Sequence, residues 1–215
     1  MRRTEVVEGL FAEYDAFAEL IAPLTTDAWR TPTRCAGWQV RDVAGHVIGN
    51  IVDSMTGEIG KRTPDEQARA FRGGTPAELA ARLGETTAGI RPFFESLSDD
   101  DWAKPSPVAG RDLGNGVLTL WYDVFVHADD IRTALGRPSE RGPGLEASVH
   151  WLAGELERLE RGPATIALDG IGERAIGSGG PVLRGDPMRF VLVATGRSDP
   201  AEFGMDESIN VHSLR

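Results

Sequence analysis

Between Val117 and Ala128 the chain is apolar nearly all round, and that stretch constrains the fold more than any other. A helix without a polar face is buried on most sides, so other helices must surround this one. Two ionisable residues interrupt it. Asp123 and His127 stand one turn apart on a single face, with Thr119 before them and Asp130 after them on the same stripe. A carboxylate inside an apolar helix costs several kcal/mol unless something compensates it. A structural pair would do so, Asp123 with His127 or with an arginine of another helix, and so would a bound cation.

The surrounding elements are legible from periodicity. Val6, Leu10, Phe11, Tyr14, Phe17, Ala18 and Ile21 recur at three- and four-residue spacing, a first amphipathic helix over about 5–22 that stops near Pro23. A loop of turn formers, Thr31 to Trp38, precedes a second helix from about Val40 to Gly60. Residues 61–74 read as a polar loop. Thr75-Pro76-Ala77-Glu78 is a helix start, with a capping threonine, proline at the first position and an early acid, and a third helix follows to about Leu97. The fourth spans about Val117 to Leu135 and closes at Gly136; a fifth covers about Leu145 to Leu159, its Glu155, Glu157 and Glu160 expected in solvent.

After Gly162-Pro163 the texture changes. Ala164–Leu168 and Ile209–His212 read as short strands, Gly177–Gly180 as a turn, and Asp186-Pro187 as the cap of a helix from Met188 to Thr195. The fold class expected is mainly α: a helical bundle over 1–162 and a small C-terminal α+β domain over 163–215.

Composition excludes more than it identifies. Forty per cent apolar residues in 215 supply a core, and 33 acids against 23 bases give a net charge of −10. That balance argues against a nucleic-acid partner and against anionic lipid, since both need concentrated basic surface. The N-terminus lacks the apolar core of a signal peptide, and no apolar run reaches the roughly 18 to 20 residues of a spanning helix, so a cytoplasmic location is expected. The single cysteine, Cys35, excludes an internal disulfide.

His46 is the remaining candidate. It lies on the polar side of its own helix, together with Asp42, Asn50 and Asp53, which is either a solvated surface or a groove facing the fourth helix; periodicity does not choose. In a groove, His46 would meet Asp123 and His127, and two imidazoles with one carboxylate suit zinc, with nickel or ferrous iron as alternatives, leaving a coordination position open. Asn50 and Asp130 are candidates for orienting the imidazoles from behind. Asp129 and Arg132 are expected to face solvent, and Cys35, His150 and His212 to be structural.

Two stretches carry a family resemblance: Trp38-Gln39-Val40-Arg41-Asp42-Val43-Ala44-Gly45-His46-Val47, and Asp123 to Gly136, preceded by Trp29 and by Pro32 to Gly37. They resemble the mycothiol-dependent maleylpyruvate isomerase family, within the DinB-like metal-binding four-helix bundles of actinobacteria. The resemblance implies a metal bound by His46, Asp123 and His127, with His127 and Asp130 matching an H-x-x-D pattern. It also implies mycothiol, a low-molecular-weight thiol, as cosubstrate in isomerisation or thiol transfer on a small electrophile. One position departs from the pattern: the acid is often glutamate, and Asp123 reaches one methylene less far. An anionic substrate would need a cation, for which Arg197 is the candidate in the tail. The alternative is a non-catalytic metal- or ligand-binding module or regulator of the same fold.

Overall fold

The computed structural model describes residues 1–108, 110–205 and 209–213. Among them the helices are α1 (Arg3–Ile21), α2 (Thr26–Trp29), α3 (Val40–Thr56), α4 (Pro64–Phe71), α5 (Pro76–Ser96), α6 (Asp99–Trp102), α7 (Leu113–Ala134), α8 (Pro143–Arg158) and α9 (Pro187–Ala194). The strands are β1 (Ala164–Leu168), β2 (Gly172–Ile176) and β3 (Val182–Gly185). No helix among the described residues is long and apolar enough to cross a membrane.

The chain forms two compact units, Met1–Glu140 and Arg141–Arg215. In the first, α1 packs on α5 and α7, and α3 packs on the same two helices, which closes a four-helix ring. Leu10, Val43, Leu83 and Val124, one from each helix, are fully buried at its centre. The apolar helix read from the sequence is α7, and it begins earlier than expected because Asp112 caps it, accepting the Asn115 N–H at 2.7 Å.

The expected loop over 61–74 contains α4. Its start repeats the device at α5: the Thr63 hydroxyl accepts from Glu66 N–H, and the Glu66 carboxylate accepts from Thr63 N–H at 2.8 Å, with Pro64 in the first turn. Eight residues with little apolar content give periodicity nothing to register. The helix is nevertheless pressed closely onto α3. A Cβ on Gly45 would stand 2.8 Å from the Ala68 carbonyl oxygen, and one on Gly49 would stand 2.6 Å from the Gln67 Cβ. Two buried carboxylates of α3 bracket the seam: Asp42 accepts from Arg72 Nε at 2.8 Å, and Asp53 accepts from Arg62 Nε at 2.9 Å. The polar side of α3 is therefore an interface. Asp42, His46 and Asp53 on it are all buried.

In the second unit β1 is the middle strand, antiparallel to β2 and parallel to β3. The expected domain boundary near residue 162 falls after α8, whereas the compact units part at Glu140, because α8 packs on α9 and β2. Glu155 is buried and paired with Arg158 at 2.7 Å, contrary to its expected solvation, while Glu157 and Glu160 are exposed. Ile209–His212 forms no strand. Ile209 is buried, the Val211 N–H donates to the Ala194 carbonyl at 2.9 Å, and the Asn210 carbonyl accepts from the Arg161 guanidinium, so these backbone groups are occupied outside the sheet.

Candidate metal centre

α3 and α7 lie side by side in the ring, and each presents part of one site. The His46 Nε2 stands 3.5 Å from the Asp123 Oδ1, and the His127 Nε2 stands 3.7 Å from the same oxygen. The two imidazoles meet edge to face, their centres 4.9 Å apart. All three potential ligand atoms lie within 4.8 Å of one another. The ambiguity over His46 is thereby resolved: its side of α3 faces α7 and α4, not bulk water.

Each imidazole is held from behind. The His46 Nδ1 lies 2.8 Å from the Gln67 Oε1, and the other end of that amide donates to the Asp53 Oδ2 at 2.7 Å. Asp53, itself paired with Arg62, thus fixes which way the Gln67 amide points, so Nδ1 carries a proton and Nε2 is the nitrogen turned toward Asp123. On the other side the His127 Nδ1 lies 2.9 Å from the Asp130 Oδ2, which also accepts from the Cys35 thiol at 3.1 Å. Asp130 and Asp129 both pair with Arg34 of the Thr31–Trp38 loop. Asp130 thus stands behind His127, against its Nδ1. Asn50 orients the carboxylate instead of an imidazole, donating to Asp123 Oδ2 at 3.1 Å.

Gln67 lies in α4, inside the stretch that periodicity assigns to loop, so hydropathy gives it no place in the site. Its signal was available in the Thr63-Pro64-Asp65-Glu66 start. Asp129 and Arg132 were expected in solvent and are buried, at 1% and 7% exposure. Arg34 compensates Asp129, and Arg132 reaches Glu140 at 3.4 Å. Thr119 stays outside the triad: its hydroxyl donates to the Asn115 carbonyl at 2.8 Å and lies 3.4 Å from the Arg111 Nη1. Arg197 belongs to the second unit, half-buried, with its backbone N–H on the Leu192 carbonyl at 2.7 Å.

Burial opposes ionisation of Asp123, but the adjacent imidazoles, His46 foremost, and the hydrogen bonds from His46 and Asn50 outweigh it, so its carboxyl titrates well below the ordinary range. Tyr14 of α1 responds oppositely. Burial, then the charge of Asp123, pushes its phenol well above the usual value, so it stays protonated.

The residues fit a metal ion. Donors placed 2.0–2.2 Å from a tetrahedral centre lie about 3.4 Å from one another. The Nε2–Oδ1 separations of 3.5 and 3.7 Å are near that edge and are long for direct hydrogen bonds. Three protein donors leave a position open. Cys35 and Asp130 also converge on the Nδ1 side of His127. There, Asp130 already has Arg34, Cys35 and His127 as partners, which makes it an orienting acceptor.

Over residues 10–132 the chain matches the family described as mycothiol maleylpyruvate isomerase N-terminal domain. Two crystal structures share its fold. One is described as the mycothiol-dependent maleylpyruvate isomerase (TM-score 0.67, 17% identity, covering 92% of this chain and 90% of that one). The other is a mutant of that isomerase with a histidine replaced by alanine (TM-score 0.66, with the same identity and coverage). No curated protein matches the chain in sequence.

Proposed function

The chain belongs to the mycothiol maleylpyruvate isomerase N-terminal domain family, and on that premise we propose that it is a metal-dependent enzyme using a low-molecular-weight thiol, mycothiol, to isomerise or conjugate a small electrophile. The observation that carries the reading is the pair of outward-facing Nε2 atoms flanking one oxygen of Asp123, each imidazole pinned through its Nδ1. A bound divalent ion, zinc by preference over nickel or iron, would supply Lewis acidity that lowers a thiol's pKa at the open position.

The chain's own residues do the rest. Gln67 and Asp130 each engage Nδ1, so Nε2 is the nitrogen that each imidazole would offer to a metal. Asn50 holds the second oxygen of Asp123, which leaves Oδ1 directed between the rings. The Trp38 ring stands against both imidazoles at a tilt, its centre 5.3 Å from that of His46 and 6.2 Å from that of His127.

Calorimetric titration with zinc tests the site: one equivalent is expected, and neither His46→Ala nor His127→Ala should retain it. Undiminished stoichiometry in both variants would sink the metal reading. Incubation with mycothiol and, in turn, unsaturated monocarboxylic acids and diacids then separates enzyme from binding module. Turnover that a chelator abolishes supports the enzyme; zinc binding without thiol-dependent turnover of any unsaturated acid supports the module.

A further inference from the structure

The helix faces that carry the triad continue past it. On α3 the stripe runs His46, Asn50, Ser54, and on α7 it runs His127, Asp123, Thr119, so one turn beyond the triad both helices line a common cavity of about 250 Å³. Asn50 belongs to both places: it lines the cavity and its amide donates to Asp123. Phe93 and Phe94 of α5 and Val117 and Leu120 of α7 make its walls apolar. Phe93 is 55% exposed and Val108 is 37% exposed, which leaves apolar surface at the cavity that core packing does not account for. Among the described lining residues Arg111 is the one with a charge, and its Nη1 lies 3.4 Å from the Thr119 hydroxyl.

We propose that this cavity is the electrophile subsite and that the electrophile is a monocarboxylate with an apolar body, such as an aryl- or branched-alkyl-substituted unsaturated acid. The carboxylate meets Arg111, and the apolar body lies between α3, α5 and α7 with its reactive end toward Asn50 and Asp123. The volume is below the roughly 300–1,000 Å³ of sites for drug-sized ligands, which limits the occupant to a small molecule. A short dicarboxylate fits poorly, because its second charge would lie against phenylalanine and valine without a partner. This assignment rests on the triad being the reaction centre, one turn away.

The test is calorimetric titration of the zinc-loaded full chain with 4-phenylbutyrate and, separately, maleate. Phenylbutyrate is expected to bind at least tenfold more tightly. Arg111→Met should weaken it at least tenfold, and Ser54→Leu, which extends a side chain into the cavity from the helix surface, should abolish it. Circular dichroism of both variants checks that they fold. Maleate binding as tightly as phenylbutyrate, or phenylbutyrate binding unchanged in either folded variant, would overturn the assignment. Zinc stoichiometry is read in the same samples. Loss of zinc binding with phenylbutyrate still bound condemns the metal reading alone; zinc bound at one equivalent without phenylbutyrate condemns the cavity alone.

Discussion

The Nδ1 of His46 and the Oε1 of Gln67 lie 2.8 Å apart, bringing a candidate ligand of α3 under the control of a residue on α4. Gln67 also donates to Asp53, so Gln67→Leu removes an acceptor from the imidazole and a donor from a buried carboxylate at once. Losses of such supporting partners cost about 10–100-fold in metal affinity. Zinc titration of Gln67→Leu should show a fall in that range with stoichiometry unchanged; an unaltered Kd would mean that Gln67 does not orient the ligand.

The α3–α4 seam gives a stability prediction with an internal control. Gly49→Ala places a methyl 2.6 Å from the Gln67 Cβ, and overpacking of this kind costs about 1–3 kcal/mol. Gly84, in the interior of α5, has nothing within 4 Å of the corresponding position, so Gly84→Ala should stabilise by about 0.5–1 kcal/mol through helix propensity. Urea midpoints should move in opposite directions. Equal gains in both variants would mean that the seam has room.

That seam also explains what the sequence withheld. The helices of the ring, the strand at Ala164–Leu168 and the helix after Asp186 were all visible as period or punctuation, and Asp123 with His127 stood out because charge in an apolar helix needs a reason. His46 was ambiguous because hydropathy sees which residues avoid water, not which polar residues meet one another. Gly45 and Gly49 allow α4 to cover polar side chains that periodicity assigns to solvent. Asp129 and Arg132 escaped for a related reason: their burial depends on partners, Arg34 in the loop and Glu140 beyond the helix, that have no fixed spacing from them. The α8 placement turns on tertiary packing and leaves no mark in composition.

Arg34 is 20% exposed at its side chain, while the Asp129 and Asp130 side chains it pairs with are 1% and 0% exposed. Arg34→Met keeps much of the side-chain bulk, strips the buried Asp129 of its cation and leaves Asp130 to His127 and Cys35. Removing one partner of a buried pair costs about 3–5 kcal/mol. Urea unfolding at neutral pH should register a loss of that size, and a change under 1 kcal/mol would show that other groups carry the compensation.

His150 provides a pH signature in the second unit. Its Nδ1 lies 2.7 Å from the Arg174 Nη1, and burial, followed by the Arg174 charge, pushes the imidazole below its ordinary pKa of 6.5. The folded protein therefore binds this proton less tightly than the unfolded chain does. Its destabilising contribution is absent well above pH 6.5, grows as pH falls through that value, and levels off below the depressed folded value. His150→Gln retains an acceptor for Arg174 and removes the titration. The urea midpoint of the unsubstituted protein should drop more between pH 7.5 and 5.5 than that of the variant; identical drops would exclude His150.

The indole of Trp38 is bonded through Nε1 to Asp65 at 2.8 Å while its ring stands, tilted, against both site histidines. That placement makes it an optical gauge of the centre. Its emission should respond when a cation arrives at those rings, dimming strongly for paramagnetic nickel or ferrous iron and only shifting for closed-shell zinc. With Trp38→Phe subtracting the contribution of the other four tryptophans, light alone could follow loading in real time and distinguish one ion from another.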